Sequence, residues 1–271
     1  MSEGDSDEEH KTPPPTKLSV ISAILKLIHY EVGDQYVIIG YPTPVDRKDE
    51  MKNLISLIPW VTYRRKFKEL QSDVNGAKSH QYTSDSGWGC MIRVAQMMIV
   101  NTLIKHNHQS IISRVVEESK DENPIVPILS NQEHLGNIIP LVLDDYEGEK
   151  APFGIRNVIE EGAKLLDKGA GEWYGAHSIS QVIRKLNSMY NLQYNERFKI
   201  LTFNEGVVYK DELDFHSCAE VSYLAIVPLR LGLNKVDKSY IPQLKAILSH
   251  VLSVGILGGK SNSAMYYVGF K

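Results

Sequence analysis

The chain has 271 residues, of which 42% are hydrophobic and 23% are charged. This composition fits a globular protein with a sizeable core and excludes a wholly disordered, collagen-like or disulfide-stapled chain. Its 30 basic and 33 acidic residues give a formal net charge of −3, which argues against a nucleic-acid-binding footprint, and no stretch approaches the ~20 apolar residues of a membrane-spanning helix.

The first 17 residues differ in composition from the rest of the chain. They contain acidic residues and then a proline run: Glu3, Asp5, Asp7, Glu8, Glu9 and Pro13–Pro15. Such a segment buries little apolar surface, so we expect residues 1–17 to be a disordered tail and residues 18–271 to be the folded domain. The chain opens acidic rather than basic and apolar, unlike a secretory signal, so we expect a cytoplasmic protein.

The first half of the chain is predicted to alternate helices, strands and loops. The predictions are a helix over 19–29, a strand over 36–40, a Pro- and charge-rich loop over 41–50, an apolar segment over 54–62, a polar loop over 73–85 and a helix over 91–105. The last helix is apolar on nearly every side, which is typical of a helix in the middle of a protein.

The second half shows a similar mixture after an irregular region over 107–150. The predictions are helices over 157–167 and 178–188, a buried strand over 221–227, a helix over 241–252, a glycine-rich break over 255–259 and a β-prone run over 264–270. Helices and strands do not alternate in a strict βαβ rhythm, so the pattern favours an α+β fold.

The segment Thr83-Ser-Asp-Ser-Gly-Trp-Gly-Cys90 is the most unusual in the chain. Two glycines bracket a tryptophan, and Cys90 then opens the predicted central helix. A thiol at a helix N-terminus lies at the positive end of the helix dipole, which favours the thiolate. Free N–H groups of the first turn can also stabilise an oxyanion. Cys90 is therefore a candidate nucleophile, although a small buried hydrophobe is the alternative interpretation of a free cysteine.

The other cysteine and the histidines point less clearly to chemistry. Cys218 has no glycine bracket and no clear helix start, so we interpret it as structural. The nine histidines are scattered, and the closest pair, His106 and His108, would point to different faces of a helix. We therefore predict neither a metal site nor a cofactor.

The Cys90 segment closely resembles the nucleophile segment of the autophagins, the cysteine peptidases that process the ubiquitin-like autophagy modifier. Further segments resemble other motifs of this family, in the same order along the chain: Val61–Phe67, Ala151–Asn157, Gly171–Gly175, Pro228–Leu233 and Gly255–Ala264. Together these motifs cover about residues 35 to 270, and their combination is far more specific than any one of them.

The resemblance implies a papain-like α+β fold with a small inserted subdomain. It implies cleavage after a C-terminal glycine of the modifier, release of the modifier from phosphatidylethanolamine, and membrane contact only through the lipid-linked substrate of a monomeric enzyme. In that scheme Cys90 is the nucleophile, and the Tyr63 hydroxyl stabilises the oxyanion. Trp173 covers a groove that admits only glycine, and a mobile loop closes against it. The loop residues are Gly258, Gly259, Lys260 and Ser261.

The chain departs from the family pattern in its catalytic base. The family carries its Asp and His in an Asp-Pro-His motif shortly after the strand that reads here as 266–270, and the 271 residues contain no such motif. His177 and His80 lack a neighbouring orienting residue, and Met265 stands where the family has a histidine. We therefore expect a C-terminally truncated peptidase domain. The alternative is an inactive fragment that only binds the modifier.

Overall fold

The computed structural model describes residues 17–19, 35–39, 41–71, 80–107, 136–145, 150–194, 197–209, 221–233, 235–250 and 252–271. The tail before Lys17, Cys218, His108 and nearly all of the helix predicted over 19–29 lie outside these residues.

The described residues form a mixture of helices and short strands. The α-helices are α1 (Lys48–Ser56), α2 (Cys90–Asn107), α3 (Ile155–Leu166), α4 (Ala176–Tyr194) and α5 (Ile241–Ser249). The strands are β1 (Lys17–Ser19), β2 (Tyr36–Ile38), β3 (Tyr41–Val45), β4 (Arg65–Gln71), β5 (Gln81–Ser84), β6 (Phe198–Thr202), β7 (Val207–Tyr209), β8 (Ser222–Ile226), β9 (Ile256–Lys260), β10 (Ser263–Tyr267) and β11 (Gly269–Phe270). This mixture confirms the predicted α+β class.

The strands pair mostly antiparallel. The largest described sheet has the order β11-β2-β3, and the pairs β1–β7, β4–β5 and β9–β10 are also antiparallel. Strands β6 and β8 pair in parallel, with Phe198 opposite Ser222. Helices α3 and α4 pack against each other, α2 packs against α4, and all three contribute to one hydrophobic core.

The helix α2 lies at the centre of the core, as its apolar sequence predicts. Most of its side chains are buried, from Cys90 through Ile104. They pack with buried side chains of α3 and α4, among them Val158 and Ile183. Burial of a large apolar side chain contributes about 1.5–3 kcal/mol, so this helix dominates the packing and gives its first residue a fixed position.

The predicted loop over 41–50 is wrong. It contains strand β3 and the first turn of α1. Strand β3 is an edge strand, where Pro42 and Pro44, which lack an N–H, are tolerated. In α1, Asp49 and Glu50 lie in the first turn, where the helix dipole favours negative charge.

Two further loop predictions differ from the structure. Residues 81–84 of the predicted polar loop form β5, paired with β4. The glycine-rich segment 255–259 does not simply end a helix: α5 stops at Ser249, and Gly258 and Gly259 lie in β9. A Cβ at Gly259 would meet the Ser263 backbone, so glycine lets β9 and β10 pair closely.

Candidate active site

Cys90 is the first residue of α2 and follows a tight turn after β5. The Asp85 carbonyl accepts hydrogen bonds from the N–H groups of Trp88 (3.2 Å) and Gly89 (2.8 Å). Gly87 closes the turn with φ +93°, a left-handed conformation that glycine adopts without strain. The thiol residue is only 5% exposed. The turn therefore delivers Cys90 to the N-terminus of the central helix, as the sequence predicts.

Trp88 attaches this turn to the strand that precedes it. Its indole N–H donates to the Ser84 carbonyl at 3.0 Å, and its ring packs edge-on against Tyr82 at 5.6 Å between centroids. The side chain is buried in the core. Trp88 therefore anchors the turn to β5.

Tyr63 and Cys90 line the same pocket, and the thiol lies close enough to influence the Tyr63 phenol. Partial burial raises the pKa of Tyr63, and the neighbouring Cys90 and the charge of Asp85 act in the same direction. The phenol is therefore neutral near pH 7 and keeps its proton to donate. The structure brings together the two residues that the resemblance assigns to nucleophile and oxyanion stabilisation.

Cys90 opens onto a pocket of about 510 Å³ whose walls are mainly apolar. The pocket is lined by Ile55, Ile58, Pro59, Trp60, Val61, Thr62, Tyr63, Cys90, Arg93, Val94, Met97, Ala264, Met265, Tyr266 and Val268. One wall is therefore the end of α1 and the segment leading to Tyr63, and the start of α2 and strand β10 form the others. Trp60 on the first wall is 80% exposed, so this wall presents a large apolar surface to solvent.

The residues predicted to enclose the substrate glycine are not among those that line this pocket. Trp173 is half-buried and packs against the core, and its carbonyl accepts a hydrogen bond from the Lys168 amine at 3.2 Å. Gly258, Gly259 and Lys260 belong to β9, and Ser261 begins the turn to β10, so the predicted loop is the tip of a β-hairpin. Gly258 pairs with Met265, which does line the pocket.

The two histidines considered as alternative bases lie away from the thiol. His177 is exposed at the start of α4, and its ring contacts the Gln181 amide at 2.5 Å. His80 is exposed, with its ring 6.4 Å from that of Tyr82. Neither lines the Cys90 pocket.

Metal ligation and membrane insertion find no support in the described part of the chain. Its His, Cys, Asp and Glu side chains form no group of three or more that could hold a metal ion. None of the helices in these ranges is long and apolar enough to cross a membrane.

Sequence analysis missed a buried ion network beneath the site. The Asp85 carboxylate accepts from Arg93 Nε at 2.6 Å, and Asp144 accepts from the same guanidinium at 2.7 and 3.1 Å. Burial by itself lowers the pKa of Arg93, but the hydrogen bonds and charges of Asp144 and Asp85 outweigh it and raise the pKa. The signal in the sequence was an arginine three residues after Cys90 in a helix that is otherwise mainly apolar.

Comparisons with known proteins agree with this geometry. Residues 48–271 match the model of the peptidase C54 catalytic domain. The chain is 28% identical over 269 residues to the cysteine protease ATG4A of Xenopus laevis, covering 89% of this chain and 60% of that protein. It is 33% identical over 195 residues to a probable cysteine protease atg4 of Botryotinia fuckeliana, covering 69% and 39% respectively. For ATG4A of Mus musculus the identity is 29% over 262 residues, covering 86% and 60%.

Proposed function

The chain belongs to the peptidase C54 family, whose fold is papain-like, and from this premise we propose that it is a thiol endopeptidase of autophagy. Its substrate is the ubiquitin-like autophagy modifier, which it cuts after a C-terminal glycine. The same chemistry releases the modifier from phosphatidylethanolamine. The chain spans about 40–60% of the length of the relatives it matches, so the activity is proposed for the protein to which this domain belongs.

The placement of Tyr63 and Cys90 on the wall of one pocket, with Cys90 at the start of a buried helix, carries this proposal. In thiol peptidase chemistry the sulfur attacks the glycine carbonyl, a C–S bond forms, and the carbonyl oxygen becomes an oxyanion. The neutral Tyr63 phenol and the first-turn N–H groups of α2 are donors suited to that oxyanion. Cleavage of the C–N bond then needs a proton for the leaving amine, which the family's Asp-Pro-His motif supplies.

Selectivity for glycine is proposed to come from Trp173 and the tip of the β9–β10 hairpin. A flat aromatic side chain over a narrow path rejects any side chain larger than hydrogen. The Gly258-Gly259 pair gives the hairpin tip freedom to open for the modifier tail and close behind it. In an active form of the enzyme, Trp173→Ala should therefore allow cleavage after alanine as well as glycine, and unchanged selectivity would count against this role.

The proposed partners follow from the two substrates. They are the free precursor of the modifier and its lipid-linked form, and the enzyme touches the membrane only transiently through the latter. We propose a monomeric, cytoplasmic enzyme that needs no cofactor.

One observation favours a second candidate, a domain that binds the modifier without cutting it. The 271 residues contain no Asp-Pro-His sequence, and neither His177 nor His80 lines the Cys90 pocket. A domain without a positioned base and acid would leave the amine without a proton donor, and its turnover would be very slow.

Incubation of the chain with a modifier precursor that carries a C-terminal extension separates the two candidates. Cleavage after glycine that is lost in Cys90→Ser but kept in Cys218→Ser supports the peptidase. Binding without cleavage supports the second candidate. If the chain neither cleaves nor binds the precursor, both candidate functions are contradicted.

A modifier with a vinyl sulfone in place of its terminal glycine carboxylate tests the nucleophile without needing an amine leaving group. Covalent capture at Cys90, and not at Cys218, would show that the thiol reaches the modifier's C-terminus. If the modifier binds and Cys90 remains unreacted, the pocket does not receive the modifier's tail.

A further inference from the structure

Asp85 connects the two elements that carry Tyr63 and Cys90. Its Oδ1 accepts a hydrogen bond from the backbone N–H of Arg64, the residue after Tyr63, at 2.7 Å. Its Oδ2 accepts from Arg93 Nε at 2.6 Å, one turn along the helix that Cys90 begins. One fully buried carboxylate thus binds both sides of the contact between phenol and thiol.

The turn before Cys90 is shaped to admit this carboxylate. A Cβ at Gly89 would lie 2.6 Å from both Asp85 Oδ2 and Asp85 Cβ, a distance that real Cβ contacts do not reach. The backbone carbonyl of Asp85 accepts the N–H groups of Trp88 and Gly89 in the same turn. Both the backbone carbonyl and the carboxylate of Asp85 therefore accept hydrogen bonds, and the carboxylate has little freedom to move.

The guanidinium that Asp85 binds is itself fixed from the other side. Asp144 binds Arg93 with both carboxylate oxygens, and its Oδ1 also accepts from the Ile155 N–H at the start of α3, at 3.3 Å. Arg93 therefore offers Asp85 a stationary partner. Of the two carboxylates on Arg93, Asp85 is the one that also reaches the segment carrying Tyr63.

We propose that Asp85 is a positioning residue of this site, which holds the Tyr63 hydroxyl against the Cys90 thiol by tying the Arg64 backbone to the start of α2. The proposal rests on the proposed function, because it concerns the same thiol and the same oxyanion donor. Asp85 does not touch the substrate pocket; it acts through Tyr63 and Arg93.

The test compares Asp85→Asn with Asp144→Asn as a matched control. Each variant replaces one of the two buried carboxylates that accept hydrogen bonds from Arg93. The new side-chain amide brings an N–H donor next to the N–H donors of the guanidinium. Only the first also alters the link to Arg64. The first readout is the titration of Tyr63, followed by NMR on protein with ¹³C-labelled tyrosine and assigned with Tyr63→Phe. The second is the rate at which iodoacetamide alkylates Cys90, measured by peptide mass spectrometry with Cys218 as the internal reference.

Asp85→Asn should lower the pKa of Tyr63 towards its ordinary value, because a neighbouring negative charge is lost and the phenol is less firmly held. Alkylation of Cys90 should become several-fold faster, since the Tyr63 phenol is then less firmly held beside the thiol. Asp144→Asn should change both readouts clearly less than Asp85→Asn does, because the link from Asp85 to Arg64 remains. Equal responses of the two variants, or no response to Asp85→Asn, would overturn the proposal and leave Asp85 a purely structural group.

Hydrogen exchange in the unaltered chain provides a test if either variant fails to fold. The Arg64 amide should exchange as slowly as the amides of α2, because its acceptor is buried. Exchange at the rate of an exposed loop amide would contradict a fixed link to Asp85. None of these measurements requires cleavage of the modifier, so a failure of the proposed function would be seen separately from a failure of the positioning role.

Discussion

Two glycine-containing segments lie close to Cys90 or to its pocket, and they are held in different ways. The turn over 84–89 is tied down by a buried ion pair, a buried tryptophan and two backbone hydrogen bonds. In the described part of the chain, β9 and β10 pair only with each other. Met265 of β10, which lines the pocket, is 52% exposed. The turn that leads to the nucleophile is therefore firmly held, and the hairpin, which forms part of the pocket wall, is the more easily displaced of the two segments.

The hairpin is nevertheless anchored to α2 at its root. The Tyr266 hydroxyl accepts a hydrogen bond from the Asn101 amide at 3.0 Å and donates to the Val254 carbonyl. The Lys105 amine donates to the Ser253 carbonyl at 2.5 Å. Both anchors lie away from Gly258–Ser261. The comparison therefore predicts that changes at the turn disturb the whole domain, whereas changes at the hairpin act through these two contacts.

The largest effect is expected from Gly89→Ala in the turn. The added methyl group would overlap the Asp85 carboxylate, so either the turn or the ion pair with Arg93 must give way. Overpacking of this kind costs up to about 3 kcal/mol of the free energy of unfolding. Urea unfolding monitored by circular dichroism measures the loss.

Gly136→Ala is the control for that experiment, because a Cβ there would meet no atom within 4 Å. It should leave the urea midpoint nearly unchanged. If Gly89→Ala were tolerated as well as Gly136→Ala, the turn could not be as firmly held as its contacts indicate.

The second effect concerns the pH dependence of the Lys105 anchor. Burial lowers the pKa of Lys105 to about 8 from an ordinary 10.5. Below pH 8 the amine is charged in both states, and the full cost of burying the charge is present. Between about pH 8 and 10.5 the unfolded chain binds more protons than the folded chain, so the free energy of unfolding rises with pH. From pH 8 to 10 the gain is about 2 kcal/mol.

Lys105→Met isolates this contribution, because tyrosines also titrate at high pH. The stability of the unaltered chain relative to Lys105→Met should rise from pH 8 to pH 10 in parallel urea titrations. A constant difference over this range would mean that the Lys105 amine is not buried at the hairpin root.

The third effect is the loss of the Tyr266 anchor. Tyr266→Phe keeps the ring but removes the hydroxyl that bonds Asn101 and Val254. The expected loss is about 1–2 kcal/mol, because the two former partners are left part-buried. The neighbouring Tyr267 is 43% exposed, so Tyr267→Phe is a matched control that should change the thermal midpoint little. If the two variants lost the same amount of stability, the Tyr266 hydroxyl would not be an anchor of the hairpin.

The turn before Cys90 and the β9–β10 hairpin also differ in how far the sequence predicts them. Helix α2 and the position of Cys90 followed from a local apolar pattern and a glycine-bracketed turn. The strands β3, β4 and β9 did not, because their pairing depends on partners that no local pattern identifies. The ion network was hidden for the same reason, since Asp144 is 51 residues from Arg93 along the chain. Local periodicity predicts an element, but not the charged partner that fixes it.

The smallest effect is a shift in the titration of His250, beside the hairpin root. Burial lowers the pKa of His250, and the positive charge of Lys105 lowers it further. In Lys105→Met the second contribution is lost, so the pKa of His250 should rise while remaining below that of an exposed histidine. NMR titration of the histidine ring protons measures this shift, with His177 on the exposed start of α4 as an internal control. An unchanged His250 would show that Lys105 does not lie against it, and the root of the hairpin would then be held by Tyr266 without the lysine.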